Sequence, residues 1–528
     1  MIKQIDAATL KAWLSDGGEI ALFDVSEAGQ YGSGHPFFAV PLPYSRFESG
    51  LPALVPNPAA RLVLCDQGDG IAARAAARAE ALGYRKAHIL AGGKPAWRQA
   101  GYTLFAGVNV PSKAFGELVA HARHTPHLSA QTVQAMQDAQ ENFVIVDGRP
   151  FAEYRKMSIP GGICCPNGEL ALRIRDIAPD PGTKIVVNCA GRTRSIIGAQ
   201  TLLELGIPNP VFALENGTQG WFLAGLPLEH GALRRHSDDV GSVDVAPLQT
   251  QARLFAHARG VAYVTPAQAA AWLADPTRTT YLLDVRTAQA HAAAAPPGLR
   301  HAPGGQLIQA TDQWVGVKGA RLVLADDELV RAPVVAGWLR QLGHEACVLD
   351  GGIAAAAAVT WPQSWDPPAP PDPRAITARE MARALDDGAV QIIDLRPALT
   401  FRQGHVAQAV WSIRPRIAAA ADRSRRTTVL VADAPSVAAL AALDLRAAGL
   451  TDIRLLAGRP ADWRDAGLPI VATSADPPDA DCIDFLFFVH DRHDGNAGAA
   501  RQYLAWETGL VDLLDPQERA TFQLATIL

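Results

Sequence analysis

Four times along the chain, an apolar run ends on an acid: Ala21-Leu22-Phe23-Asp24, Ile145-Val146-Asp147, Leu282-Leu283-Asp284 and Ile392-Ile393-Asp394. Short continuous apolar runs of this kind predict buried strands. A second mark lies downstream of each: Leu90-Ala91-Gly92-Gly93, Leu214-Glu215-Asn216-Gly217, Leu349-Asp350-Gly351-Gly352 and Leu456-Ala457-Gly458-Arg459. Three of the four are followed by a tryptophan, Trp97, Trp221 and Trp463, which stand 73, 74 and 69 residues after the acid; the third unit has Ala356 in that place. Between the marks each unit repeats strand, loop and a long helical pattern. That pattern leaves at a glycine, in Leu82-Gly83, Leu205-Gly206, Leu342-Gly343 and Ala448-Gly449, the usual helix exit. Self-similarity over a length of this size marks a duplicated domain. Strands alternating with helices predict an α/β fold whose parallel sheet is covered by helices on both faces.

The expected organisation is four tandem modules over residues 1–106, 124–231, 258–361 and 374–473, with a C-terminal tail over 474–528 that docks on them. Linkers fall where composition shifts, most plainly in the proline-rich stretch from Trp361 to Pro373.

The chain of 528 residues is far longer than one core holds. A net charge of −5, without a long basic run, gives no support for nucleic acid as a partner. Six cysteines are too few for a disulfide scaffold of this size. The start, Met1-Ile2-Lys3-Gln4-Ile5-Asp6, lacks a signal-peptide pattern. The apolar run Phe485–Val489 is far too short to span a bilayer. The expected setting is the reducing cytoplasm, without membrane contact.

The second unit carries the chemistry. Its strand Ile185-Val186-Val187-Asn188 runs into Cys189-Ala190-Gly191-Arg192-Thr193-Arg194-Ser195, and a helical pattern follows. A tight loop between strand and helix directs several backbone N–H groups at one spot, and the helix dipole adds positive charge there. Such a loop favours the thiolate of Cys189 and forms an anion-binding cup above it. Arg192 and Arg194 are expected to add full charges.

These marks together resemble the rhodanese family of sulfurtransferases, and specifically its four-domain members. The likeness spans residues 1–473 and extends to the tail. It is strongest in the second module, through Val146-Asp147-Gly148-Arg149, Glu153-Tyr154, Ile159-Pro160-Gly161-Gly162, the Cys189 loop and Glu215-Asn216-Gly217 with Trp221. The resemblance implies a five-stranded parallel core and a cysteine that carries a sulfane sulfur as a persulfide. It implies Cys189 as nucleophile and Arg192, Arg194 and Arg149 as holders of an anionic donor such as thiosulfate. The amides of Ala190, Gly191, Thr193 and their neighbours would cradle the persulfide. The partners are a small-molecule sulfur donor and a thiophilic acceptor, cyanide or a thiol. No metal and no cofactor are required.

Counting back 17 residues from the helix-ending glycine gives Cys189 in module two, but Asp66, Asp326 and Ala432 in the others. Neither a carboxylate nor a methyl group accepts sulfur, so modules three and four are expected to be inactive. In module one Cys65 falls one residue early, beside Asp66 and Asp69, and that module is also expected to be inactive. His35 and His405 occupy a place taken by Ser158 in the active module and are therefore structural. Cys164 and Cys165 are read first as a buried strand start and second as sulfur acceptors. In the tail, His490 and His493 could share a metal on one helix face, although a docking segment fits better. Tyr503, Leu504 and Trp506 are assigned to interdomain or homodimer contact.

Two other functions compete. Cysteine-dependent phosphatases and arsenate reductases place an arginine six residues after the cysteine, where this chain has Ser195. A non-catalytic scaffold suits modules one, three and four but leaves the Cys189 loop unexplained.

Overall fold

A computed structural model describes residues 3–238, 244–362, 365–386, 388, 390–487 and 495–524. The expected metal-capable pair His490 and His493 lies outside the described residues.

Each of the four repeats builds one five-stranded sheet. Numbered along its own repeat, every sheet has the strand order 1-5-4-2-3. All pairings within these sheets are parallel. The acid-terminated runs are the interior strands Ala21–Asp24, Phe143–Asp147, Thr280–Asp284 and Val390–Asp394. The expected α/β architecture of parallel sheets with helices is present four times.

Strand register puts the four loops in correspondence. Asp147 pairs with Asn188, Asp24 with Cys65, Asp284 with Ala325 and Asp394 with Val431. The next residue is Cys189, Asp66, Asp326 or Ala432. Cys65 is therefore the counterpart of Asn188, inside its strand, and not of Cys189. Its burial, reinforced by Asp24, pushes its thiol well above the usual range.

The modules pack on one another; modules one and three, for example, meet where the Tyr281 hydroxyl donates to the Leu54 carbonyl. Modules one and four join through a buried cluster in which the Arg414 guanidinium donates to both carboxylate oxygens of Glu48 and to Asp444, 3.1 Å away. Modules two and three touch backbone to backbone at Gly168 and Gly305, where a Cβ on Gly168 would lie 2.6 Å from the Gly305 nitrogen. Glycine is required on both sides of so close an approach.

The helices Val110–Arg123 and Ala497–Gly509 come from the first linker and the tail. They meet beside module two, where Lys113 and Glu507 form an ion pair. Among the described residues, no helix is long and apolar enough to cross a membrane.

Candidate active site

The Cys189 loop joins strand Lys184–Asn188 to helix Thr193–Glu204. Beneath it, Asp147 accepts hydrogen bonds from the Arg149 amide and guanidinium and from Asn188 Nδ2 (2.8 Å). Asn188 Nδ2 also reaches the Thr218 hydroxyl, which donates to the Cys189 carbonyl. The loop closes against the next helix through backbone contacts. Thr218 N–H donates to the Cys189 carbonyl and Gln219 N–H to that of Ala190. Gly217, at φ 54°, makes this approach possible, since a Cβ there would lie 2.4 Å from the Cys189 oxygen.

Cys189 lies at the bottom of the loop and is only 2% exposed. The backbone amides of Ala190, Gly191, Arg192, Thr193, Arg194 and Ser195 donate to no acceptor among the described residues. The last three open the helix, whose first-turn amides have no partner within it.

Two of the equivalent loops are self-filled. In module one, Asp66 accepts from the Gly68 and Ala72 amides at 2.9 Å. In module three, Asp326 Oδ2 accepts from the Val330 and Arg331 amides at 3.1 and 2.9 Å. In both, a side chain of the loop itself supplies the anion.

The arginines differ from expectation. Arg149 is 1% exposed and bonded through its side chain to Asp147 and the Met157 carbonyl. Arg286 and Arg396 repeat this arrangement with Asp284 and Asp394 in modules that lack the cysteine. In module one Lys94 takes the role, 2.7 Å from Asp24. The pair is a fixture of the repeat, with Arg149 the buried partner of Asp147.

Arg192 and Arg194 flank the loop, but each already faces a carboxylate. Arg192 makes a two-pronged contact with Glu117 (2.6 and 2.9 Å) and reaches Asn216 Oδ1 at 3.3 Å. Arg194 makes the same kind of contact with Glu153 (3.0 and 2.8 Å). Burial works against both charges, yet the neighbouring acids prevail and raise both guanidinium pKa values. Both arginines are members of ion pairs beside the loop.

Sequence reasoning missed Glu117, Lys113, Gln306 and Glu507. The Thr193 hydroxyl donates to Glu507 at 2.8 Å, and a Cβ on Gly191 would lie 2.7 Å from the same carboxylate. None of the four belongs to a local motif. Glu117 and Lys113 precede the module, Gln306 belongs to the next one, and Glu507 comes from the tail.

The remaining cysteines are all free and buried. Cys164 packs with Tyr154 and Ala232, and Cys165 with Val146 and Leu170 in a different cluster. Burial, followed by Asp147, pushes Cys164 up to about 12, and burial pushes Cys165 up as well. His35 and His405 are buried and stacked on Tyr31 and Phe401, in keeping with a structural role.

With this geometry in place, comparison with known proteins becomes decisive. The rhodanese-like domain matches four times, over residues 6–100, 129–224, 265–358 and 377–466. The chain belongs to the rhodanese family. The crystal structure of thiosulfate sulfurtransferase from Pseudomonas aeruginosa superposes on this rhodanese with a TM-score of 0.90. The two are 41% identical over 99% of this chain and 100% of that one. A 94-residue stretch is 35% identical to the HTH-type transcriptional regulator Rv0324 of Mycobacterium tuberculosis and spans 41% of that protein. The four rhodanese domains and the full-length structural neighbour support membership in a sulfurtransferase family.

Proposed function

We propose that this rhodanese transfers a sulfane sulfur from thiosulfate or a similar anionic donor to cyanide or a thiol, through a persulfide on Cys189. The observation that carries the reading is the row of six amides, Ala190 to Ser195, without acceptors among the described residues above a cysteine. The full-length likeness to a thiosulfate sulfurtransferase supports the choice of donor.

The chemistry balances without a redox partner. The Cys189 thiolate attacks the outer sulfur of thiosulfate and a new S–S bond forms. The old S–S bond breaks, and sulfite departs with its electron pair. Cyanide then attacks the terminal sulfur of the persulfide; thiocyanate leaves and the thiolate returns. The loop amides receive the negative charge of the persulfide. Arg192 and Arg194 border the site as ion pairs, so the amides carry more of the anion binding than the sequence alone suggests.

The test is steady-state kinetics with thiosulfate and cyanide. Double displacement gives parallel reciprocal plots, and thiosulfate alone releases one sulfite per protein molecule. Hydrolysis of a phosphate ester without sulfite release would favour the phosphatase reading instead.

A further inference from the structure

Modules two and three face each other about a near-symmetric point. Gly168 and Gly305 are 137 residues apart, the same separation as Cys189 and Asp326, Arg194 and Arg331, and Glu169 and Gln306. Each glycine would place a Cβ within 2.8 Å of the other's nitrogen. Each module thus offers its next residue to the loop arginine of the other.

The two offers differ in charge. Arg331 Nη1 donates to both oxygens of Glu169, at 3.2 and 3.3 Å. In the mirrored contact, Arg194 Nη1 donates to Gln306 Oε1 at 3.3 Å. The geometry is the same, but an amide stands where the other side has a carboxylate.

The surroundings sharpen this difference. Arg331 is buried among Glu169, Glu328 and Asp326, the last 3.7 Å away. Arg194 pairs with Glu153, whose side chain is 41% exposed and therefore screened by water. A carboxylate at position 306 would give Arg194 a second counter-charge and set a further negative group beside the cradle. Glutamine keeps the hydrogen bond and withholds the charge.

We infer that Gln306, carried by a module without a nucleophile, is a positioning residue for the Cys189 site. It orients the Arg194 guanidinium while leaving its charge to an anionic sulfur donor. This rests on the sulfurtransferase reading above, and it gives module three a part in that reaction.

The experiment measures thiosulfate binding by calorimetry to the full chain carrying Cys189→Ser, which blocks the chemistry. Adding Gln306→Glu is expected to weaken binding about tenfold, and the deficit shrinks as salt is raised. Gln306→Leu, which loses the hydrogen bond but adds no charge, weakens it by about twofold. Gln306→Lys binds at least as tightly as the parent, and this opposite sign keeps the test valid if the Glu variant folds poorly. With Cys189 intact, Gln306→Glu raises KM for thiosulfate and leaves discharge of the persulfide to cyanide unchanged. Equal losses in the Glu and Leu variants, weaker binding by the Lys variant, or a salt-independent deficit would overturn the inference. Absence of sulfur uptake by the unmodified protein would instead overturn the sulfurtransferase reading.

Discussion

The loops of modules two and three begin from the same strand register and enter the same kind of helix. One opens with Cys189, the other with Asp326. Asp326 turns back into its own loop and satisfies two amides with one carboxylate oxygen. Cys189 leaves the corresponding amides without an acceptor. The loop at Asp326 is closed by its own side chain, whereas the loop at Cys189 leaves those amides without a described acceptor. The loops differ in the side chain at the strand end, in backbone, where Leu329 takes φ 53° and Arg192 φ −118°, and in the charge around the following arginine.

The sharpest break of this comparison is Cys189→Ser. It is expected to lower sulfur transfer by at least about a thousandfold. Cys65→Ser is expected to leave transfer unchanged, because Cys65 lies one residue early in its strand. Thiocyanate production by the two variants checks both statements.

Next in size come the buried Asp–Arg pairs. Arg149→Ala and Arg286→Ala each remove the guanidinium from a buried carboxylate, at an expected cost of about 3–5 kcal/mol. Denaturant unfolding should show similar losses in both modules. A much larger effect of Arg149→Ala on donor KM than on stability would restore it to the donor site.

Asp326 gives a pH-dependent prediction. Burial, against the opposing effect of Arg331, pushes its pKa up to about 6. The unfolded value lies lower, so between the two values the folded state binds more protons than the unfolded one. Asp326 therefore weakens stability above pH 6, and this penalty fades as pH falls toward 4. Asp326→Asn is expected to stabilise the protein by about 1–3 kcal/mol at pH 7, with the gain disappearing near pH 4. Melting temperatures across this range check it; a gain that persisted at pH 4 would contradict it.

The smallest effect concerns Arg192. Glu117→Gln releases its guanidinium from a buried carboxylate and is expected to tighten thiosulfate binding severalfold, about 1 kcal/mol. Weaker binding would show that Glu117 holds Arg192 in its working orientation.

How much of this is visible along the chain depends on the distance between partners. The sheets are legible because each acid-ended run and each Leu-Gly exit is a local signal. The Cys189 loop is legible for the same reason, and counting from Gly206 locates it correctly. The pairing of Arg192 with Glu117 is not, since it joins the loop to a linker helix 75 residues away. The contact between Thr193 and Glu507 spans 314 residues. The buried pairing of Arg149 with Asp147 is less plain, although its repetition at Arg286 and Arg396 marks a fixture of the fold. That repetition is present in the sequence, and comparing the modules position by position would have found it.

The central claim is best tested by intact and peptide mass spectrometry after incubation with thiosulfate. The account predicts a gain of one sulfur atom, located on the peptide that contains Cys189 and removed by cyanide. No gain, or a sulfur on Cys65, Cys164 or Cys165 with Cys189 unmodified, would contradict it.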